Sequence, residues 1–151
     1  MTTPEETKVV SATRDIAAPA AQIFELIADP SRQPAWDGNH NIAHADAGQR
    51  VQAIGDVFRM TLHNGNVRDN LVVEFEEGRR IAWCPSSEGQ PPAGHLWRWA
   101  LEPEGEGNTR VIHTYDWSQL TDENRMERAR STTPDMLSAS LEKLAAAVES
   151  T

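Results

Sequence analysis

Between Ile42 and Tyr115 the chain offers only short, β-compatible runs, broken at close intervals by Gly, Asn and Pro, and nothing with helical periodicity interrupts them. That pattern predicts an antiparallel meander. The clearest runs are Asp56 to His63, Val67 to Glu76, Arg80 to Ser86, His95 to Glu102 and Thr109 to Trp117. Asn64-Gly65-Asn66 and Glu77-Gly78 are turn chemistry between the earlier runs, and the polar, Gly-rich stretch Pro103 to Asn108 joins the last two.

Helical signals lie outside this block. Lys8 to Ile16 alternates weakly and predicts a first strand, after which Pro19 opens a segment to Ala28 with Ile23, Phe24 and Ile27 on one face. Asp29-Pro30 ends it, and Pro30 to Trp36 predicts a second short helical turn capped by Asp29 or Ser31, before the turn Asp37-Gly38-Asn39. Beyond the meander, Asp122 to Ala129 is a charged helical stretch. Thr133-Pro134 then begins a longer helix to about Val148, whose stripe Leu137, Leu141, Leu144, Val148 must be buried against the sheet. Helices grouped on one side of an antiparallel sheet make an α+β fold with a curved sheet.

At 151 residues the default is one domain and one core, with residues 1–7 a polar leader outside it. The formal charge of −9, and basic residues scattered rather than clustered with aromatics, exclude nucleic acid as an expected partner. Cys84 stands alone, so neither an intrachain disulfide nor a cysteine-cluster metal site can form; a reducing cytoplasm fits. No run approaches the ~18 apolar residues of a membrane span, and neither a signal segment, a metal nor a cofactor is expected. Monomer and homodimer are both compatible with the sequence.

The chain carries five tryptophans against one tyrosine and three phenylalanines. Alternation puts His95, Trp97, Trp99 and Leu101 on one face of their strand, and Val111, His113, Tyr115 and Trp117 on one face of the next. On the Val67 to Glu76 run, Leu71, Val73 and Phe75 share a face with Asp69, a carboxylate that needs a partner there. Indole, imidazole and phenol groups each bring a polar atom that must be hydrogen-bonded when buried, which a part-wet pocket allows and a solid aliphatic core does not. The expected lining is Trp83, His95, Trp97, Trp99, His113, Tyr115, Trp117, Asp69, Leu71 and Val73, closed by Leu137 and Leu141.

Ala18-Pro19 entering a helix, the run Ile23 to Pro30, Trp36, and the stretch His95 to Pro103 followed by Gly107 to Val111 together resemble the START-like, helix-grip (SRPBCC) superfamily, most nearly its polyketide cyclase/dehydrase and lipid transport branch. The resemblance covers nearly the whole chain. It implies a seven-stranded antiparallel sheet wrapped around a long C-terminal helix with a cavity between them. It specifies fold better than activity.

Three functions follow as expectations. The first is binding of a small hydrophobic or aromatic molecule, polyketide-like or lipid-like, in the cavity. The second is a polyketide cyclase, aromatase or dehydratase in which His113 or His95 moves a proton and Tyr115, Asp69 or Arg98 orients an enolate, although Arg98 falls on the opposite strand face from Trp97 and Trp99. The third is a protein-interaction module using the charged Asp122 to Arg130 segment. His40, His44, His63, His95 and His113 show no metal spacing, no Gly-x-Ser-x-Gly elbow exists, and Cys84 reads as a packing residue. The segments Asp37 to Gln49 and Pro85 to Pro92 are expected to flank the cavity mouth.

Overall fold

The computed structural model describes residues 8–38 and 42–149. The expected leader, Asn39 of the turn after Trp36, and His40 lie outside the described residues. Strands β1 (Val9–Ile16), β2 (Ile42–His44), β3 (Val57–Leu62), β4 (Val67–Glu76), β5 (Arg80–Ser87), β6 (Leu96–Pro103) and β7 (Thr109–Asp116) form one sheet. Its order is β1-β7-β6-β5-β4-β3-β2 and every pair is antiparallel. Helices α1 (Ala20–Ala28), α2 (Glu123–Ser131) and α3 (Pro134–Glu149), with a 3-10 helix at Pro30–Ala35, complete an α+β, helix-grip architecture. Among the described residues no helix is long and apolar enough to cross a membrane.

The local chemistry explains each boundary. Pro19 sits extended before α1, whose buried residues are Ile23, Phe24, Ile27 and Ala28. Asp29 then caps the 3-10 helix by accepting from Ser31 N–H. The last carbonyls of an α-helix have no partner inside it. Here Gln33 Nε2 donates to Ile27 O at 2.9 Å and Trp36 Nε1 to Leu26 O at 2.7 Å, so the 3-10 helix is tied under α1. At α3, Met136 N–H reaches Thr133 Oγ1, and Leu137, Leu141, Leu144 and Val148 are buried as their spacing requires.

Two features depart from the sequence reading. Strand β2 is a three-residue edge strand inside a segment read as a loop. In β4 the register passes from Val72 opposite Trp83 to Glu74 opposite Ala82, so Val73 is an extra, unpaired residue, a β-bulge. A bulge reverses the in/out phase of everything on one side of it. Upstream, Asn70 and Val72 are buried on the face shared with Trp83; downstream, Phe75 packs edge-on against Phe24 at 5.8 Å. The expected common face of Asp69, Leu71, Val73 and Phe75 therefore does not exist. Asp69 and Leu71 lie with Arg59 and the exposed Val57 on the outer face.

Candidate functional site

Strands β6 and β7 supply the wall that the aromatic spacing predicts. Trp97 is directly opposite Tyr115, and Trp99 opposite His113. The His113 ring stacks on Trp99 with centroids 3.6 Å apart at 15°, and lies near-parallel to Trp97 at 5.5 Å. Trp97 meets Tyr115 at 4.3 Å, and Trp83, opposite Trp97 on β5, packs edge-on against Phe58. From the other layer Trp36 sets its edge against Trp99 at 5.1 Å. These contacts fix the rings and leave one side of them facing an internal cavity of about 580 Å³.

Trp83, His95, Trp97, Trp99, His113, Tyr115 and Leu137 all line this cavity. Leu141 is buried in the apolar core instead, and Trp117 belongs to a neighbouring cluster with Leu120, Ala129 and Leu137, with the Lys8 and Arg130 cations over its ring. Asp69, Leu71 and Val73 do not line it. Asp69 is ion-paired with Arg59 at 2.8 Å, which holds its carboxyl below the usual range. Arg98 also points outward, bound by Glu74.

The residues missing from the sequence reading are mostly polar. Gln33, Asp37, Arg68 and Asn70 line the cavity, as do Asn124, Arg125, Arg128, Ser131 and Thr132 from α2 and its end, and Ser140 from α3. Arg68 and Asn70 were legible as the alternate face of β4, had the bulge been foreseen. The α2 residues follow helical spacing, but their stripe is polar, and apolar periodicity carries no signal of a polar inward face. Of the two segments expected at the mouth, Asp37, Ile42 and Pro85 contribute to the lining.

Electrostatics divide the cavity's polar groups. His113 Nδ1–H donates to Arg98 O at 3.1 Å; burial dominates over this bond and pushes the imidazole pKa down to about 3. His95 is pushed down to about 4, by burial first and then by Arg125, Arg68 and Arg128. Both rings are neutral at pH 7. Burial raises the Tyr115 phenol, and burial with the two α2 arginines lowers Arg68. Among the described residues His95 Nδ1 and Trp99 Nε1 are buried side-chain atoms with no hydrogen-bond partner. Cys84 lies outside the cavity lining, and burial raises its thiol pKa, so it is no activated nucleophile.

A model of the family described as polyketide cyclase / dehydrase and lipid transport matches residues 7–149. The chain belongs to that family. Its fold is similar to that of protein MLL2253 of Mesorhizobium loti, with a TM-score of 0.69 at 20% identity, covering 95% of this chain and 98% of that one. Norcoclaurine synthase of Thalictrum flavum, solved as a point mutant with a transition-state analogue, superposes with a TM-score of 0.64 at 12% identity, covering 95% of this chain and 94% of that one. An uncharacterized protein of Mycobacterium tuberculosis H37Rv is 27% identical over 119 residues, which is 72% of this chain and 47% of the relative. The chain thus spans about half the length of the curated relatives it matches.

Proposed function

We propose that this family member binds one small apolar or aromatic molecule in the cavity between the β6–β7 face and α3. The observation that carries this reading is the lining itself. Five aromatic rings of the β5 to β7 wall border about 580 Å³ of internal space, within the usual size of small-molecule sites.

The same geometry disfavours a cyclase that uses these histidines. A general acid–base group works best with a pKa near the working pH. Imidazoles at about 3 and about 4 lack the second, acidic proton at neutral pH and accept one poorly. His113 also has Nδ1 committed to a backbone carbonyl. The fold neighbour norcoclaurine synthase is an enzyme on this architecture, but fold alone does not transfer an activity.

The test is a titration with the neutral, apolar probe N-phenyl-1-naphthylamine, read by quenching of tryptophan emission. Saturable binding of one molecule per chain is expected, lost in Ser140→Trp, which fills the cavity, and retained in His113→Ala. Absence of saturable quenching in the folded wild type, or undiminished binding by Ser140→Trp, overturns the proposal.

A further inference from the structure

The cavity is not uniformly apolar. One side is the aromatic wall of Trp83, Trp97 and Trp99; the other is built by α2 and the start of β4, which bring Arg68, Arg125 and Arg128 to the same space. A chain of formal charge −9 thus lines this cavity with three arginines and, among the described residues, a single carboxylate, Asp37. Asp37 accepts from Ile42 N–H at 2.8 Å. We propose that the cavity's occupant is an apolar acid, its carboxylate held by Arg68, Arg125 and Arg128 and its hydrocarbon or aromatic body laid along the tryptophan wall. This inference rests on the cavity-binding reading above and adds the chemical class of the ligand.

Strand alternation and helix spacing bring the three arginines to the cavity. Arg68 points inward by strand alternation with the buried Asn70 and Val72. Among the described residues it forms no ion pair, and its Nη1 donates to Val67 O at 3.4 Å. Arg125 and Arg128 are three residues apart on α2, hence on one helix face. Arg125 is steadied by Asp122 at 3.3 Å and by Ser87 Oγ, so α2 is tied to the end of β5 across the arginine group. Arg68 and Arg125 also border a polar recess on the far side, with Ser87 and Glu88, which puts them at the boundary between cavity and surface.

Three like charges brought together destabilise one another unless something answers them. Burial lowers Arg68 and His95 most, and the neighbouring guanidinium groups add to it: Arg125 and Arg128 lower Arg68, and all three arginines lower His95. An anion removes that repulsion, and a guanidinium binds a carboxylate through two parallel N–H donors.

The experiment displaces N-phenyl-1-naphthylamine from the whole chain with three twelve-carbon ligands: dodecanoic acid, 1-dodecanol and dodecylamine. The acid should bind about tenfold more tightly than the alcohol, the amine least, since a charge-assisted bond in a part-buried site is worth about a factor of ten. In Arg68→Gln/Arg128→Gln the acid should fall to the level of the alcohol. Arg59→Gln, on the outer face, should keep the preference. Equal binding of acid and alcohol by the wild type, or an acid preference that survives the double substitution, overturns the acid assignment and leaves the cavity reading standing. Failure of every ligand, the neutral probe included, overturns the cavity reading itself.

Discussion

His113 shows how one buried residue can be structural and still report on the site. Its ring lies on Trp99 with Nδ1–H fixed to the Arg98 carbonyl, and burial lowers its pKa to about 3, while His95 is lowered to about 4. In the unfolded chain both return to the ordinary histidine value near ~6.5. The unfolded state therefore binds more protons than the folded state as pH falls below ~6.5, and stability declines with it. The full contribution is present above the unfolded value and is lost progressively toward the folded ones. Each histidine should contribute a slope of about 1.4 kcal/mol per pH unit between roughly pH 6 and 5, above the range where carboxylates titrate. Urea unfolding at pH 7, 6 and 5 reads this directly. His113→Gln should remove about half of the slope, whatever it does to stability at pH 7. An unchanged slope in that variant would show that His113 is protonated in the folded state or does not contribute.

At the scale of elements, the cavity depends on how α3 and the 3-10 helix approach one another. Gly38 follows the 3-10 helix, donates its N–H to Ser140 Oγ at 3.1 Å, and lies so close to α3 that an added Cβ would be 2.4 Å from Ala139 C and 2.6 Å from Ser140 N. These are helix backbone atoms, which cannot rotate away. Gly38→Ala should therefore push α3 outward and cost about 2 to 3 kcal/mol, the scale of overpacking a tight contact. Gly65→Ala is the control. It has nothing within 4 Å of the new carbon and only the backbone strain of φ +87°, so a loss of about 1 kcal/mol is expected. Urea midpoints of the two variants test the difference, and equal losses would mean that the Gly38 contact is not tight. Neither Gly38's role nor the β4 bulge is visible in a single sequence. Periodicity reports which residues share a face within one uninterrupted strand, so the β6 and β7 faces were legible from His95, Trp97, Trp99, His113 and Tyr115. It carries no record of an inserted residue, and so Asp69 and Leu71 were assigned to the wrong side, and Val73 to a lining it does not join.

At the scale of the molecule, the cavity wall is drawn from both ends of the chain order: the 3-10 helix near the start, β3 to β7 in the middle, α2 and α3 at the end. The apolar half of that wall followed from the tryptophan spacing. The cationic half did not, because α2 turns a polar face inward and buries only Ala129. A helix with so little apolar burial is held mainly by polar contacts such as Arg125 to Ser87, and it should open on its own well below the global unfolding free energy. An occupant in contact with Arg125 and Arg128 bridges α2 to the aromatic wall and must be released before α2 can open. At a ligand concentration of 100 times Kd, global stability should rise by about 2.7 kcal/mol, and the local opening of α2 should become rarer by a comparable factor. Native-state hydrogen exchange, with and without saturating dodecanoic acid, separates the two effects residue by residue. The amides of α2 should gain protection along with those of β6 and α3. Stabilisation of β6 and α3 with α2 unchanged would mean that the ligand occupies the aromatic wall without reaching the arginines.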